Sequence, residues 1–335
     1  MIIQIHRHKI TQENPFIIAE AGINHNGDMD TARALIDSAG EAGAHCIKFQ
    51  TYKTSNLLIK NKKTQELFEE LQSYELSYDN FRELKDYAVK RNIIFMSTPD
   101  DRESLEFLVS INVPALKIGS GEIDNYHFLK RAADYPKPII VSTGTASKKE
   151  IEKTYKIVRR RNKKLILMHC VSSYPASIED LNLNFISVMK KRYNIPVGFS
   201  DHSMSLLAPA VGVAKGASVI EKHFTLDNSM KGPDHSMSLN PSQFRDMVDN
   251  IQDAVKMLGN SDKVIASSEK RIIKGIRKSI YTTRPIEKGE KITSDNTVLL
   301  RPAISLAAST YEHFLGKRVR RKKNAYKPLR SSDVE

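Results

Sequence analysis

"ASVIEKHFTLD" (residues 217–227) begins as a buried strand and then sets Glu221, Lys222 and His223 inside the apolar run. Polar groups in such a place need a partner, a metal or a water-filled cavity to face. Side chains of a strand alternate, so Glu221 and His223 share one face and Lys222 points to the other.

Seven comparable runs precede this one: FIIAEAG (16–22), CIKFQTY (46–52), IIFMST (93–98), ALKIGSG (115–121), PIIVSTG (138–144), LILMHC (165–170) and PVGFSDH (196–202). Amphipathic segments lie between most of them. In MDTARALIDSAGEAG (29–43), Ala32, Leu35, Ile36 and Ala39 recur at helical spacing, and SQFRDMVDNIQDAVKML (242–258) supplies a final helix. Eight strands with crossover helices predict an α/β chain whose residues 1–258 close into a (β/α)8 TIM barrel. A doubly wound open sheet is the main rival, but no GxGxxG follows the first strand. Residues 259–276 are polar and weakly patterned, as in a linker. Residues 277–335 alternate in short segments with turn signals at EKGE (287–290) and TSDN (293–296), which predicts a small β-rich domain.

Composition narrows the class. A chain of 335 residues with 40% hydrophobic content can bury a full core. Cys46 and Cys170 sit in apolar runs rather than in a spaced framework, which points to a reducing compartment. The N-terminal stretch MIIQIHRHKITQENP has no signal-peptide core and no later run is long enough for a membrane span, so a soluble, cytoplasmic protein is expected. The net charge of +13 favours anionic partners. Much of the excess falls in KTYKIVRRRNKK (153–164) and GKRVRRKKNAYK (316–327), which lack the interleaved aromatics of a single-strand binding face and read as solvated surface.

In a barrel, the C-terminal ends of the strands build the site. Polar residues gather there: Glu20, Lys48 and Gln50, Ser97 and Thr98, Lys117, Ser120 and Glu122, Ser142 and Thr143, His169, and Ser200, Asp201 and His202. Strands seven and eight are sequential, so His202 and His223 can reach one point, and two imidazoles suit a divalent transition metal with open positions. Lys48 in a core strand needs an anion, because an unpaired buried ammonium is costly. The strand-end serines with Lys48 and Lys117 could hold a phosphate, although no P-loop pattern is present.

The stretches IIAEAGINHNG, KFQT, STP, KIGSGE, STG, GFSDH and EKHFTLD, followed by GPDHSMSLNP, closely resemble the sialic acid synthase family, and the tail IEKGEKITSDNTVLLRP resembles its C-terminal antifreeze-like, or SAF, domain. The resemblance implies a barrel, a domain-swapped homodimer, and condensation of phosphoenolpyruvate with an N-acetylated mannosamine-type sugar to a nine-carbon 2-keto acid. It places metal ligands, for manganese first and magnesium or cobalt next, on His202 and His223. Phosphoenolpyruvate contacts fall on Lys48, Thr98, Lys117, Ser120, Ser142, Tyr174 and Ser200, with Ser172 where the family often has asparagine. Glu20, Gln50, Glu122 and Asp234 match polar residues around the reacting sugar, and Arg301 matches an arginine reaching from the partner's SAF domain. Phe49, Asp100 and Lys222 look more like the legionaminate-making branch than the neuraminate-making one, with pseudaminate synthesis third. Two other classes are a polyanion binder using the basic runs and an ice-binding tail. No nucleic-acid or membrane partner is expected.

Overall fold

The computed structural model describes residues 2–335 and divides into two compact units, Met1–Gly259 and Asn260–Glu335. The first begins with an antiparallel hairpin, β1 (Ile3–Ile5) and β2 (His8–Ile10). The eight apolar runs follow as β3 (Phe16–Gly22), β4 (Cys46–Thr51), β5 (Ile94–Pro99), β6 (Leu116–Ile118), β7 (Ile139–Ser142), β8 (Leu165–Cys170), β9 (Val197–Asp201) and β10 (Val219–His223). All eight belong to one parallel sheet, ordered β5-β4-β3-β10-β9-β8-β7-β6. Its two end strands, β5 and β6, pack side by side and bring the sheet round into a barrel.

Alternation along each strand sorts the residues into two cores. Phe16, Ile18, Cys46, Met96, Ala115, Ile140, Ile166, Met168 and Val219 form the inner one. Ile17, Ala19, Ile47, Phe49, Phe95, Ile118, Val141, Leu167 and Phe199 face outward to the helices. The helices begin at sequence-encoded caps: Asp28 accepts from the Thr31 amide at 2.7 Å ahead of Met29–Glu41, and Asn240 caps Pro241–Leu258 reciprocally with Gln243.

The hairpin was not foreseen from the sequence, because strands of three residues leave too short an alternation to read. Its Ile3, Ile5 and Ile10 are buried in the inner core and plug the barrel's N-terminal end. Each such burial contributes on the order of 1.5–3 kcal/mol.

The stretch read as a linker carries a helix, Ser267–Ile276, which falls in the second unit. That helix buries none of its residues, so its apolar positions gave no one-sided signal against a known core. The remainder of this unit pairs β11 (Ser279–Thr282) with β12 (Thr297–Leu300) and closes a small core of Ile280, Ile286, Ile292, Val319, Leu329 and Val334. Asp333 is fully buried there, accepting from Arg321 at 2.7 Å and from the Arg330 amide at 2.9 Å.

Candidate active site

The inner face changes character near the C-terminal ends of the strands. Registers place Glu20 opposite Lys48 on one side and opposite His223 on the other. Lys48 Nζ lies 2.7 Å from Glu20, donates to Thr98 Oγ1 at 2.8 Å and comes within 3.8 Å of Glu221. Lys117 Nζ donates to Ser142 at 2.8 Å and lies 3.4 Å from the other oxygen of Glu221. Ser200 donates to that same oxygen at 3.1 Å. Glu221 therefore joins the two lysines into one buried network. The strand pattern places Glu221 on the face of His223 but gives no sign of this role, since one strand's pattern does not show how far neighbouring lysines reach.

The two central carboxyl groups are driven apart. Burial raises Glu20, to about 7, and repulsion from Glu221 adds to it against the pull of Lys48. Burial also disfavours the anion at Glu221, but Lys117 and Lys48 outweigh it and hold this group below the usual carboxylate range. Lys48 likewise loses to burial and regains more from Glu20 and Glu221, so it stays charged.

His202 and His223 converge, with ring centroids 5.4 Å apart and planes inclined at 65°. His202 Nδ1 donates to the Val171 carbonyl at 2.7 Å, which leaves the lone pair on Nε2. His223 Nδ1 is buried with no hydrogen-bond partner. Burial, then His202 and Lys48, hold His223 well below its ordinary range, so it is neutral as a metal ligand must be. Imidazoles sharing one ion at about 2.1 Å have centroids roughly 5 Å apart, so the pair fits a divalent cation. Among the described residues no group of three His, Cys, Asp or Glu is placed for a metal, which would leave the other positions to water or substrate. Tyr174 stacks on His202 at 4.1 Å and meets His223 edge-on at 5.7 Å.

Two glycines let further polar groups approach. At Gly22 (φ +52°) a Cβ would sit 3.5 Å from Gln50 Nε2 and 3.6 Å from both Asp234 and Glu20, so these three side chains meet around it. Burial raises Asp234 to about 6. At Gly144 a Cβ would lie 2.1 Å from Ser172 Oγ and 2.8 Å from Ser120 Oγ, and Ser120 accepts from the Gly144 amide at 3.0 Å. Only a residue without a side chain lets both hydroxyls gather there. Glu122 lies outside the Glu20 cluster, bonded to Asn125 at 2.6 Å, and with Asp100 lines an acidic cleft at the same C-terminal strand ends, where Asp100 feels Lys48 and Lys117. Burial raises Asp100 to about 7, opposed by Lys48.

Several strand-end groups lie outside this set. His169 faces outward and donates to the Leu181 carbonyl at 2.6 Å, Ser97 pairs with Thr51 at 2.7 Å, and Asp201 binds Lys222 at 2.6 Å under the helical layer. Phe49 also faces outward, packed on Phe95. Of the three branch-marking positions, only Asp100 reaches the mouth. Arg301 is exposed just after β12 in the second unit. Of the basic runs, Arg161 pairs with Asp134 at 2.6 Å and Arg159 donates to the Lys163 carbonyl at 2.7 Å, so part of that charge is held locally.

A model of the NeuB family matches residues 35–263, and a SAF domain model matches residues 277–335. The chain belongs to the NeuB family, that of the sialic acid synthases. It is 38% identical to an N,N'-diacetyllegionaminic acid synthase of Legionella pneumophila, covering 91% of this chain and 90% of that one. A pseudaminic acid synthase of Campylobacter jejuni, serotype O:2, is 35% identical over 92% of this chain and 93% of its own. The crystal structure of an N-acetylneuraminic acid synthetase from Leptospira borgpetersenii superposes with a TM-score of 0.76 at 40% identity, over 82% of this chain and 95% of that one. This NeuB member is thus an enzyme, a sialic-acid-type synthase. No described helix is long and apolar enough to cross a membrane.

Proposed function

We propose that this enzyme condenses phosphoenolpyruvate with an N-acetylated mannosamine-type sugar, releasing phosphate and a nine-carbon 2-keto acid, and that the product is N,N'-diacetyllegionaminate. The observation that carries the reaction is the meeting of two neutral imidazoles with the Lys48–Glu221–Lys117 network at one barrel mouth.

In this reading Lys48 and Lys117, with Thr98, Ser142 and Ser200, hold the carboxylate and phosphate of phosphoenolpyruvate through charge-assisted bonds. Ser120 and Ser172 add hydroxyls around Gly144. His202 and His223 would hold a divalent cation, manganese first with magnesium or cobalt as alternatives, whose contribution is Lewis acidity toward a carbonyl oxygen. Carbon 3 of phosphoenolpyruvate bonds to the sugar's aldehyde carbon, water adds at carbon 2, and the bond from carbon 2 to the phosphate oxygen breaks. Glu20, raised to about 7, can give or take a proton near neutral pH, and Asp234, Gln50 and Glu122 orient the sugar and water.

The choice of sugar rests on Asp100, whose carboxyl oxygen can accept from the N–H of a second acetamido group. Exposed apolar side chains on the mouth loops, including Leu57, Ile59, Ile178 and Leu207, support a homodimer in which Arg301 comes from the partner. The buried free cysteines support a cytoplasmic setting.

The test measures phosphate release with N-acetylmannosamine and with 2,4-diacetamido-2,4,6-trideoxymannose, with and without divalent cation. Release that needs neither sugar nor cation would sink the reaction, and a strong preference for N-acetylmannosamine would overturn the choice of product.

A further inference from the structure

A second cleft, of about 620 Å³, opens at the opposite end of the barrel from the catalytic mouth. It lies beside the hairpin turn at His6 and Arg7, and the segments leading into β4 (Ala44, His45) and β6 (Pro114) line it. Its charged lining residues are Arg7 and Lys85, and no Asp or Glu lines it. Among the described residues neither forms an ion pair. Lys137 adds a third cation: it donates to the Asn112 side chain in the wall at 2.5 Å, and burial followed by repulsion from Lys85 lowers its ammonium's pKa. Concave walls of one sign concentrate the field and attract counter-charge.

The polar donors are fixed in direction. His45 Nδ1 accepts from the Ile17 amide at 3.0 Å, so the neutral ring carries its proton on Nε2. His8 donates to the Asn14 carbonyl at 3.0 Å and packs against both Phe16 and His45, with centroids at 5.1 and 4.4 Å. One side of the cleft is apolar, formed by Val89, Ile93 and Pro114, and Val89 is 66% exposed. Unneutralised cations beside an exposed apolar wall suit a ligand with a charged head and an apolar body.

We infer that this N-terminal cleft is a binding site for a small phosphate monoester, with its oxyanion on Arg7 and Lys85 and its apolar body against Val89, Ile93 and Pro114. The site is separate from the catalytic mouth and does not depend on the reaction proposed there.

Calorimetric titration of the full chain with phenyl phosphate tests it, with inorganic phosphate and phenol as probes carrying one feature each, in the wild type and in Lys48→Met, whose catalytic mouth lacks one of its ammonium groups. Phenyl phosphate should bind at least about tenfold more tightly than either control. The double substitution Arg7→Glu with Lys85→Glu should weaken it about tenfold or more, while Lys48→Met at the mouth should leave it unchanged. Melting curves check that the variants fold, and if charge reversal unfolds the chain, Lys85→Ala carries the same comparison. Equal binding by the floor variants, loss in Lys48→Met, or no binding to the wild type at about 10 mM would overturn the site.

Discussion

Lys48 and Lys222 are both fully buried in barrel strands, yet their surroundings differ in kind. Lys222, on the outer face, is saturated: it bonds Asp201 at 2.6 Å and the carbonyls of Ser203 and Ser205. Asp201 in turn accepts from the Ser203 amide at 2.9 Å. Lys48, on the inner face, sits in a network with loose ends, where one oxygen of Glu221 and Nδ1 of His223 have no hydrogen-bond partner. A closed pair holds structure together. An open one leaves polar capacity for something that arrives from outside.

The comparison can be broken at several points. The largest effect is expected from His223→Ala, which removes one of the two convergent imidazoles. Turnover should fall by roughly three decades or more while the melting temperature stays near that of the wild type. Collapse of the fold together with activity would make His223 part of the closed class.

Lys48→Met should cost on the order of 10²–10³ in kcat/KM with a small stability change, because Glu20 can become neutral once its ammonium is gone. Lys222→Met should do the reverse. It strands Asp201 without a cation, so denaturant unfolding should report a loss of about 3–5 kcal/mol, with turnover per folded molecule kept. Matching stability losses in the two variants would erase the distinction.

The smallest effect concerns the mouth. Asp100 is raised to about 7 by burial, above its usual value, so the folded protein binds its proton more tightly than the unfolded chain does. Its contribution is thus unfavourable above the unfolded value, growing as pH rises toward 7 and level beyond. Asp100→Asn should gain stability across that window, on the order of 1–2 kcal/mol after solvent screening, and nothing at pH below about 3.5. A gain independent of pH would mean that the group is not held neutral.

Much of the barrel was legible because parallel strands bury both faces and read as short apolar, β-branched runs, and Phe16–Gly22 and Leu165–Cys170 match the expected limits. Period two separates Lys222 from Glu221 and His223, and Lys222 lies on the outer face beside Asp201. What stayed hidden was long-range. The hairpin's Ile3 and Ile10 gain meaning only beside Ile166 and Met168, far along the chain. Glu221 becomes central only when Lys48 and Lys117, from two other strands, reach it. Phe49 resembles the legionaminate-making branch, but its strand parity turns it to the helices and away from the mouth.

The plugged floor has a consequence for traffic through the enzyme. Among the described residues, Ile3, Ile5 and Ile10 pack with Met96, Ile140 and Ile166 into an apolar floor, so polar substrates are expected to come and go by the mouth. Whatever enters first and sits deepest must wait for whatever entered last to leave, which imposes an order on binding and departure through geometry alone.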